Sequence, residues 1–518
     1  MVQYCHNHNI ISERLFGRQE IFLHSTISTQ HSGNDPVNSL EKMTTEQFPT
    51  SPLLMDTEQE STPEKSINEF LTELDNLDIK LLLEGDRLRC NAPKGVLTSD
   101  IKEELKTRKP EIIAFLTPIK TQANLDAEAV LDSTIVPQTP VKIVPEPTNI
   151  FLTGATGFLG NALLYDLLQQ TSATIYCLVR DESPEIAQEK LYNSLKLHYG
   201  WDDSFAPRII PVVGDLSKPL LGLSQQQFQQ IAKETDVIYH NGAWVNHTSP
   251  YSRLKSTNVL GTQEVLRLAC EKTTKPVHFI STISVFNPSD LSQKRVIKES
   301  DELDPQEVPL GGYAQSKWVA EKLVTMAGER GLPVSIYRVG PISGHSNTGL
   351  FNPHDFLYKL IIGYVHLGSA PEGEMLLDIL PVDYVGHVIV HLSKQGKSLD
   401  KAFHLIHSQP VSSHILFEEL EEMGYKVQRI AYEQWYSQLL EVAKNSPDHP
   451  LYPLVPLFSP ARSDDASAKS FNLKFDCYNT LQGLINSGID CPPINRQLLK
   501  TYISYLFENG LLKPLNND

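Results

Sequence analysis

Apolar positions along the chain fall into three regimes. Up to residue 64 they keep no sustained period, and residues 44–64 are rich in Thr, Ser, Pro, Glu and Gln, which reads as a disordered leader. Between 65 and 117 the pattern sharpens. Ile67, Phe70, Leu71 and Leu74 recur at i, i+3, i+4 and i+7, one face of a short helix. Residues 79–93 follow as two strand-like runs around Gly85-Asp86, a hairpin signal. Thr98 stands as an N-cap, and Ile101 and Leu105, then Ile112, Ile113 and Leu116, make two more helical stripes interrupted at Pro110. A unit of about fifty residues arranged α-β-β-α-α buries only a small core, which suits a binding module better than an enzyme.

The third regime starts at residue 149. Short β-branched runs at 149–154, 174–180, 208–215, 236–242, 276–282 and 333–340 alternate with helical stretches. Such alternation implies parallel strands joined by right-handed helical crossovers, an α/β fold with a Rossmann-type doubly wound sheet. From about residue 346 to 518 the rhythm breaks and helical stripes dominate, so a mainly helical cap over the strand ends is expected, with some later segments returning to the core of 149–345. Residues 118–148 hold five prolines, no glycine and no aromatic residue, the composition of a semi-extended linker.

Composition narrows the field further. A net charge of −17 over 518 residues argues against a nucleic-acid partner held through its phosphates. The six cysteines include no C-x-x-C pair, so no metal site or redox pair is indicated. The most apolar stretch, 357–370, is too short to span a membrane and carries Lys359 and His366. Without the layout of a signal peptide at the N-terminus, a reducing cytoplasm is the expected address. Met43 and Met55 precede better-patterned sequence, so the first forty-odd residues read as a dispensable leader or a misplaced start.

Two constellations carry chemistry. Gly154-Ala-Thr-Gly157-Phe-Leu-Gly160 follows the first strand of the α/β region and opens an apolar helix (Phe158, Leu159, Leu163, Leu164, Leu167), the setting in which a glycine-rich turn receives a dinucleotide pyrophosphate. Gly154 permits the tight turn, Gly157 the approach of backbone to phosphate, and Gly160 the contact of helix with sheet. The second strand ends in Arg180, where an NAD site tends to carry a carboxylate; a cation there accommodates a 2′-phosphate and selects NADP(H). Asp215 is placed to hold the adenine amino group, and Asn241-Gly242-Ala243 ends the fourth strand near the ribose, with Asn258 as a neighbour. The second constellation is Tyr313-Ala-Gln-Ser-Lys317. Its i, i+4 spacing puts phenol and ammonium on one helical face, where the lysine is expected to lower the tyrosine pKa. A strand ending Ser281-Thr282-Ile283-Ser284 offers a hydroxyl for a substrate carbonyl: Thr282 first, Ser281 or Ser284 otherwise.

With Gly312 to Glu321 (G-Y-x-x-S-K-W-x-x-E), Arg338-Val-Gly-Pro341, Pro381 to Val385, Phe475 to Asn479 and Ser487 to Pro493, these motifs resemble the extended short-chain dehydrogenase/reductases. In particular the chain is similar, over roughly 149–515, to the thioester reductase domains that terminate nonribosomal peptide and polyketide assembly lines. The C-terminal motifs separate this branch from sugar-nucleotide epimerases. L-x-E-G-D-R-L-R and A-P-K-G in 65–117 resemble N-terminal docking domains of the tubulysin-synthetase type. The resemblance implies that NADPH is held by the glycine turn including Thr156, Phe158 and Leu159, by Arg180, Asp215, Leu216, residues 241–243 (Asn241, Gly242, Ala243), Asn258 and Pro341, and by Tyr313 and Lys317. It further implies a carrier protein bearing a phosphopantetheinyl thioester, reduced to aldehyde or alcohol with Thr282, Tyr313 and Lys317 as catalytic residues. An upstream assembly-line protein would engage the docking domain. A reductase of free acyl-CoA or small carbonyls, and a scaffold without activity, are the competing readings.

Three apparent motifs are set aside. No G-x-S-x-G elbow exists for hydrolytic release, and Gly396-Lys397-Ser398 lacks the first glycine of a P-loop, His391 standing in its place. Ser343-Gly-His-Ser346, which looks like a phosphopantetheine attachment site, runs on directly from the last strand and is expected to be a loop near the active-site mouth.

Overall fold

A computed structural model describes residues 18–23, 67–116 and 125–512, apart from 78, 85–86, 94, 142, 287–295, 305–307, 354, 374, 447–448 and 459–473. The chain divides into two units, Met1–Thr117 and Pro118–Asp518.

The first unit holds β1 (Arg18–Leu23), α1 (Ile67–Asn76), β2 (Lys80–Glu84), β3 (Arg87–Pro93), α2 (Ser99–Thr107) and α3 (Lys109–Leu116). The expected hairpin forms, with Glu84 opposite Arg87; its turn residues Gly85-Asp86 lie outside the described residues. Thr98 caps α2 by accepting the Ile101 N–H at 3.3 Å. Phe70, Leu71, Leu74, Leu88, Cys90, Leu105 and Ile112 close the small core. Two expectations are corrected. The helix break falls at Arg108, and Pro110 sits in the first turn of α3, where a missing N–H costs nothing. Within the supposed leader, β1 pairs antiparallel with β3 in a sheet of order β1-β3-β2. A strand of six residues that leans on main-chain pairing leaves little periodic signal. The rest of 1–64 lies outside the described residues.

The second unit is built on β4 (Asn149–Thr153), α4 (Phe158–Gln170), β5 (Thr174–Val179), α5 (Pro184–Tyr199), β6 (Ile209–Val213), α6 (Gln225–Glu234), β7 (Val237–His240), α7 (Gly261–Cys270), β8 (Val277–Thr282), α8 (Gly312–Glu329), β9 (Val334–Val339), α9 (Phe356–Leu367), α10 (Val382–Ser393), β10 (Lys401–Leu405) and α11 (Arg496–Glu508). All seven strands are parallel, in the order β10-β9-β8-β7-β4-β5-β6. Along β4 the side chains alternate between faces. Ile150 and Leu152 join the core under α4, α5 and α10, whereas Phe151 joins the core under α6, α7 and α8. The seventh strand, β10, was not among the expected six. It is a five-residue edge strand reached through Asp400 at φ 60°, far beyond the point where the rhythm breaks. A cap core gathers Tyr358 and Ile361 of α9, Leu416, and Leu499 and Tyr502 of α11, as the helical stripes imply.

The linker assignment also needs correction. Leu125, Ala129, Leu131 and Ile135 are buried in the same core as α6, α7 and α8. Arg330 donates to the carbonyls of Leu131 (3.1 Å), Asp132 (2.7 Å) and Ile135 (3.0 Å), and Arg267 pairs with Asp132 at 2.7 Å. The described residues of this segment form no strand, but its spaced apolar residues still bury, and arginine satisfies carbonyls that no ladder reaches. Of the 118–148 stretch, residues 118–124 and 142 lie outside the described residues.

Candidate active site

Strand order reverses between β4 and β7, which opens a crevice at their C-terminal ends. The glycine turn is shaped to it. Gly154 turns at φ +74°, and a Cβ there would stand 2.7 Å from the Gly242 Cα; at Gly160 a Cβ would meet the Gly154 carbonyl oxygen at 1.8 Å. Gly157 caps α4 without a side chain, so the first-turn N–H groups of Phe158, Leu159 and Gly160 have no intrahelical acceptor, the condition for holding an anion. Thr156 is partly open beside them. The Gly242 N–H donates to Thr153 Oγ1 (2.9 Å) and Asn241 Nδ2 to the Gly154 carbonyl (3.3 Å), so Asn241-Gly242-Ala243 is fastened to the turn. This cradle, which side chains would fill, fits a dinucleotide pyrophosphate.

The flanking residues differ in what they offer. Arg180 is exposed at the end of β5, and its guanidinium makes no hydrogen bond or ion pair to the described residues. Asp215 accepts from Ser217 N (2.8 Å) and Oγ (2.7 Å), a closed turn beyond β6, and Leu216 packs over Gly242. Pro341 is exposed beyond β9, its carbonyl held by the Leu380 N–H at 2.8 Å. Asn258 departs from expectation. It is 2% exposed; its Oδ1 accepts from Trp244 N (2.7 Å), and its Nδ2 donates to Trp244 O (3.1 Å) and Ser316 Oγ (2.9 Å). Ser316 in turn donates to the Tyr313 carbonyl at 2.8 Å. Asn258 therefore ties the loop after β7 to α8.

Gly312 admits the first turn of α8 against the chain at Pro250, where a Cβ would come within 2.4 Å of backbone. One turn of helix then carries Tyr313, half-buried, and Lys317, 3% exposed. Lys317 Nζ donates to the Ile280 carbonyl of β8 at 2.7 Å and lies 4.0 Å over the Phe279 ring. Thr282 ends β8 and caps the next turn, its Oγ1 accepting the Ser284 N–H at 3.2 Å. Ser281 donates its hydroxyl to the Glu321 carboxylate, and Ser284 is exposed. Of the three hydroxyls, Ser281 is turned into the protein, which favours Thr282. The expected effect of Lys317 on the phenol is not found. Burial pushes Tyr313 up to about 12 and Lys317 down to about 7, with only Glu321 opposing the fall of the lysine. Desolvation acts on both groups, and the ammonium is turned to the Ile280 carbonyl.

Sequence reasoning missed three neighbours. Glu321 was legible as the residue four beyond Lys317 in the G-Y-x-x-S-K-W-x-x-E stretch. His247 packs its ring edge-to-face on Tyr313 at 5.4 Å, and burial and then the Lys359 charge lower its pKa; nothing in the sequence marked either residue. The set-aside motifs stay set aside. Gly396–Ser398 is a single 3₁₀ turn after α10. Ser343 Oγ and the Tyr502 hydroxyl share a hydrogen bond of 2.9 Å, and Ser346 donates to Asp383 through N (2.9 Å) and Oγ (2.5 Å). The loop after them lines a groove of about 620 Å³ with Tyr165, His198 and Asp383, on the α4–α5–α10 side of the sheet and without Tyr313, Lys317 or Thr282.

A nucleotide crevice and a Tyr-x-x-x-Lys helix meeting at one end of this sheet define an oxidoreductase of the short-chain dehydrogenase/reductase type. Residues 152–389 match the family described as male sterility protein, and residues 67–117 the TubC N-terminal docking domain. The terminal R domain of the myxalamid PKS-NRPS pathway is 40% identical with a TM-score of 0.71, over 76% of this chain and 99% of that one. The reductase domain of a nonribosomal peptide synthetase from Mycobacterium tuberculosis is 25% identical with a TM-score of 0.61, over 75% and 96%. A linear gramicidin synthase protein of Brevibacillus parabrevis is 38% identical over 440 residues, 83% of this chain but 9% of that protein. The chain likewise spans less than half the length of seven further curated relatives. It belongs to the terminal reductase domains of nonribosomal peptide and polyketide assembly lines, with a docking domain of the TubC type ahead of the reductase.

Proposed function

We propose that the chain releases an acyl or peptidyl group from a carrier protein by reducing its phosphopantetheinyl thioester to an aldehyde, with NADPH as reductant. The observation that carries this is the fastening of the Lys317–Tyr313 face of α8 onto the C-terminal end of β8, at the same end of the sheet as the Gly154–Gly160 cradle. The glycine turn, Asp215 and residues 241–243 hold the dinucleotide, and the exposed Arg180 takes the 2′-phosphate. When bound, the nicotinamide supplies hydride to the thioester carbonyl. Thr282 and Tyr313 hold the carbonyl oxygen by hydrogen bonds that strengthen as it gains charge, and Tyr313 gives that oxygen its proton. Lys317, held at the Ile280 carbonyl, is the charge that eases this transfer and binds the nicotinamide ribose. The resulting hemithioacetal breaks its C–S bond to give aldehyde and thiol.

The docking unit supports delivery by a separate upstream protein whose extended tail pairs with its hairpin. The reducing cytoplasm is the proposed setting, and the five described cysteines, all unpaired, fit it. NADPH oxidation by the full chain is to be measured with one acyl group carried either by a phosphopantetheinyl carrier or by CoA. Turnover on the carrier well above that on CoA, with aldehyde or alcohol formed, supports the reading. Equal rates point to a reductase of free thioesters, and no oxidation with either overturns the activity.

A further inference from the structure

Lys317 lies in a site that works against its charge. Facing it are Tyr313 and Glu321 from its own helix, the Phe279 ring and Ile280 carbonyl from β8, and the His240 imidazole from β7. Arg338 approaches from β9 and is engaged by Glu321. Among the described residues, Glu321 is the one carboxylate that acts on this ammonium. It is 0% exposed and one helical turn from Lys317, on the same face of α8.

The Glu321 carboxylate is shared in a particular way. One oxygen accepts from Arg338 Nε (2.9 Å) and Nη2 (2.8 Å); the other accepts the Ser281 hydroxyl. Arg338 is itself fixed, donating to the carbonyls of Glu299 (3.3 Å) and Asp301 (3.1 Å) and lying 4.7 Å over Phe286. Consecutive residues of β8, Ile280 and Ser281, are thus bonded to Lys317 and Glu321, immediately before Thr282. An ion pair with Arg338 alone would need neither of these contacts.

We propose that Glu321 is a positioning residue of this reductase, which clamps the end of β8 beside Thr282 and sets a carboxylate on the Lys317 face of α8. The proposal rests on the roles given above to Tyr313 and Lys317. Removing the negative charge leaves only the Ile280 carbonyl and the Phe279 ring to favour the ammonium against burial, and the amine loses its proton at lower pH. Activity and cofactor binding that need the ammonium then fall off earlier on the alkaline side.

The test uses the full chain and two pH profiles: the NADPH dissociation constant by cofactor fluorescence, and kcat/KM for NADPH oxidation with octanoyl-CoA. In Glu321→Gln the alkaline limb of both moves down by about one pH unit. Glu321→Asp, which keeps the charge at a greater distance, falls between. Ser281→Ala loses the clamp but not the charge, so its rate drops severalfold while its limb stays in place. Alkaline limbs that coincide in wild type and Glu321→Gln, whatever the loss of rate, overturn the proposal and leave Glu321 a fold residue. If Glu321→Gln does not fold, Glu321→Asp decides on the same criterion. Wild type that binds NADPH but reduces neither octanoyl-CoA nor an octanoyl-phosphopantetheinyl carrier overturns the proposed function, and the binding profile still decides Glu321.

Discussion

Gly160 sits directly against the carbonyl of Gly154, so close that a Cβ on the first would lie 1.8 Å from the oxygen of the second. Helix α4 cannot keep its place with any side chain there. Gly160→Ala is expected to push the N-terminus of α4 off the turn and to weaken NADPH binding at least tenfold, read by cofactor fluorescence. Gly396→Ala, where a Cβ meets nothing within 4 Å, is the control and leaves binding unchanged.

The hydroxyls at the end of β8 separate by the same kind of measurement. Thr282→Val removes a donor to the substrate oxygen and is expected to lower kcat about a hundredfold or more, the usual cost of one such donor. Tyr313→Phe removes the proton donor as well and costs about a thousandfold, within the usual range for a positioned acid. Both variants keep their NADPH affinity within a factor of about three and their melting temperature within a few degrees. Equal rates for Thr282→Val and wild type would remove Thr282 from the mechanism.

The Arg180 guanidinium makes no ion pair or hydrogen bond to the described residues, so its charge is available to a 2′-phosphate. Arg180→Asp is expected to lower the NADPH-over-NADH preference in kcat/KM by about ten- to a hundredfold, the worth of one or two charge-assisted hydrogen bonds. An unchanged ratio would mean that Arg180 is a solvated strand-end residue.

How much of this was legible in the sequence depended on where the signal lay. Residues 149–340 could be read because parallel strands buried on both faces form unbroken β-branched runs, and Gly154-x-x-Gly157-x-x-Gly160 sits where two backbones must nearly touch. The Lys317–Tyr313 face followed from helical spacing alone. What could not be read were interactions between distant segments. Asn258 stands where a cofactor contact was expected, yet its amide is engaged by Trp244 and Ser316. The proline-rich stretch read as a tether because nothing local announces that Arg330 will bind three of its carbonyls. The pKa expectation failed for the same reason: spacing puts ammonium and phenol on one face, whereas burial dominates both groups, opposed at Lys317 by Glu321.

Buried neutral histidines make the fold acid-sensitive. Burial pushes His240 and His278 down to about 3, with the Lys317 charge adding to the effect at His240; burial and then Arg338 take His404 to about 4. Their unfolded imidazoles take up protons near 6.5, whereas the folded ones do not. The unfolded state therefore binds more protons below that pH, and stability present above 6.5 is lost as pH falls toward 4. Each group contributes up to about 1.4 kcal/mol per pH unit in this window. Asp355, pushed up to about 6 by burial, acts in the opposite sense between about 4 and 6, as do Asp166, Glu299 and Asp378, which burial also raises; His198, His247, His391 and His449, all lowered by burial, act with the first three histidines. Melting temperature is expected to fall steadily from pH 6.5 to 4.5, and a flat profile would contradict the buried neutral state.

Strand β1 places residues of the chain's own N-terminal region along β3, with Ile21 opposite Cys90 and Leu23 opposite Leu88. The other edge of β3 is taken by β2, so a partner tail that pairs with β3 meets β1 already in place, whereas no described strand takes the outer edge of β2. Internal and external strands at β3 then compete for the same main-chain groups. Removing residues 1–24 is expected to speed hydrogen exchange at alternate amides of Arg87–Pro93 by at least tenfold, since an antiparallel neighbour protects every second residue. A synthetic peptide spanning residues 16–25, added to the shortened chain, should restore that protection in a concentration-dependent way. If exchange at β3 does not change on truncation, β1 is not held there in solution and the edge stands open to a partner without competition.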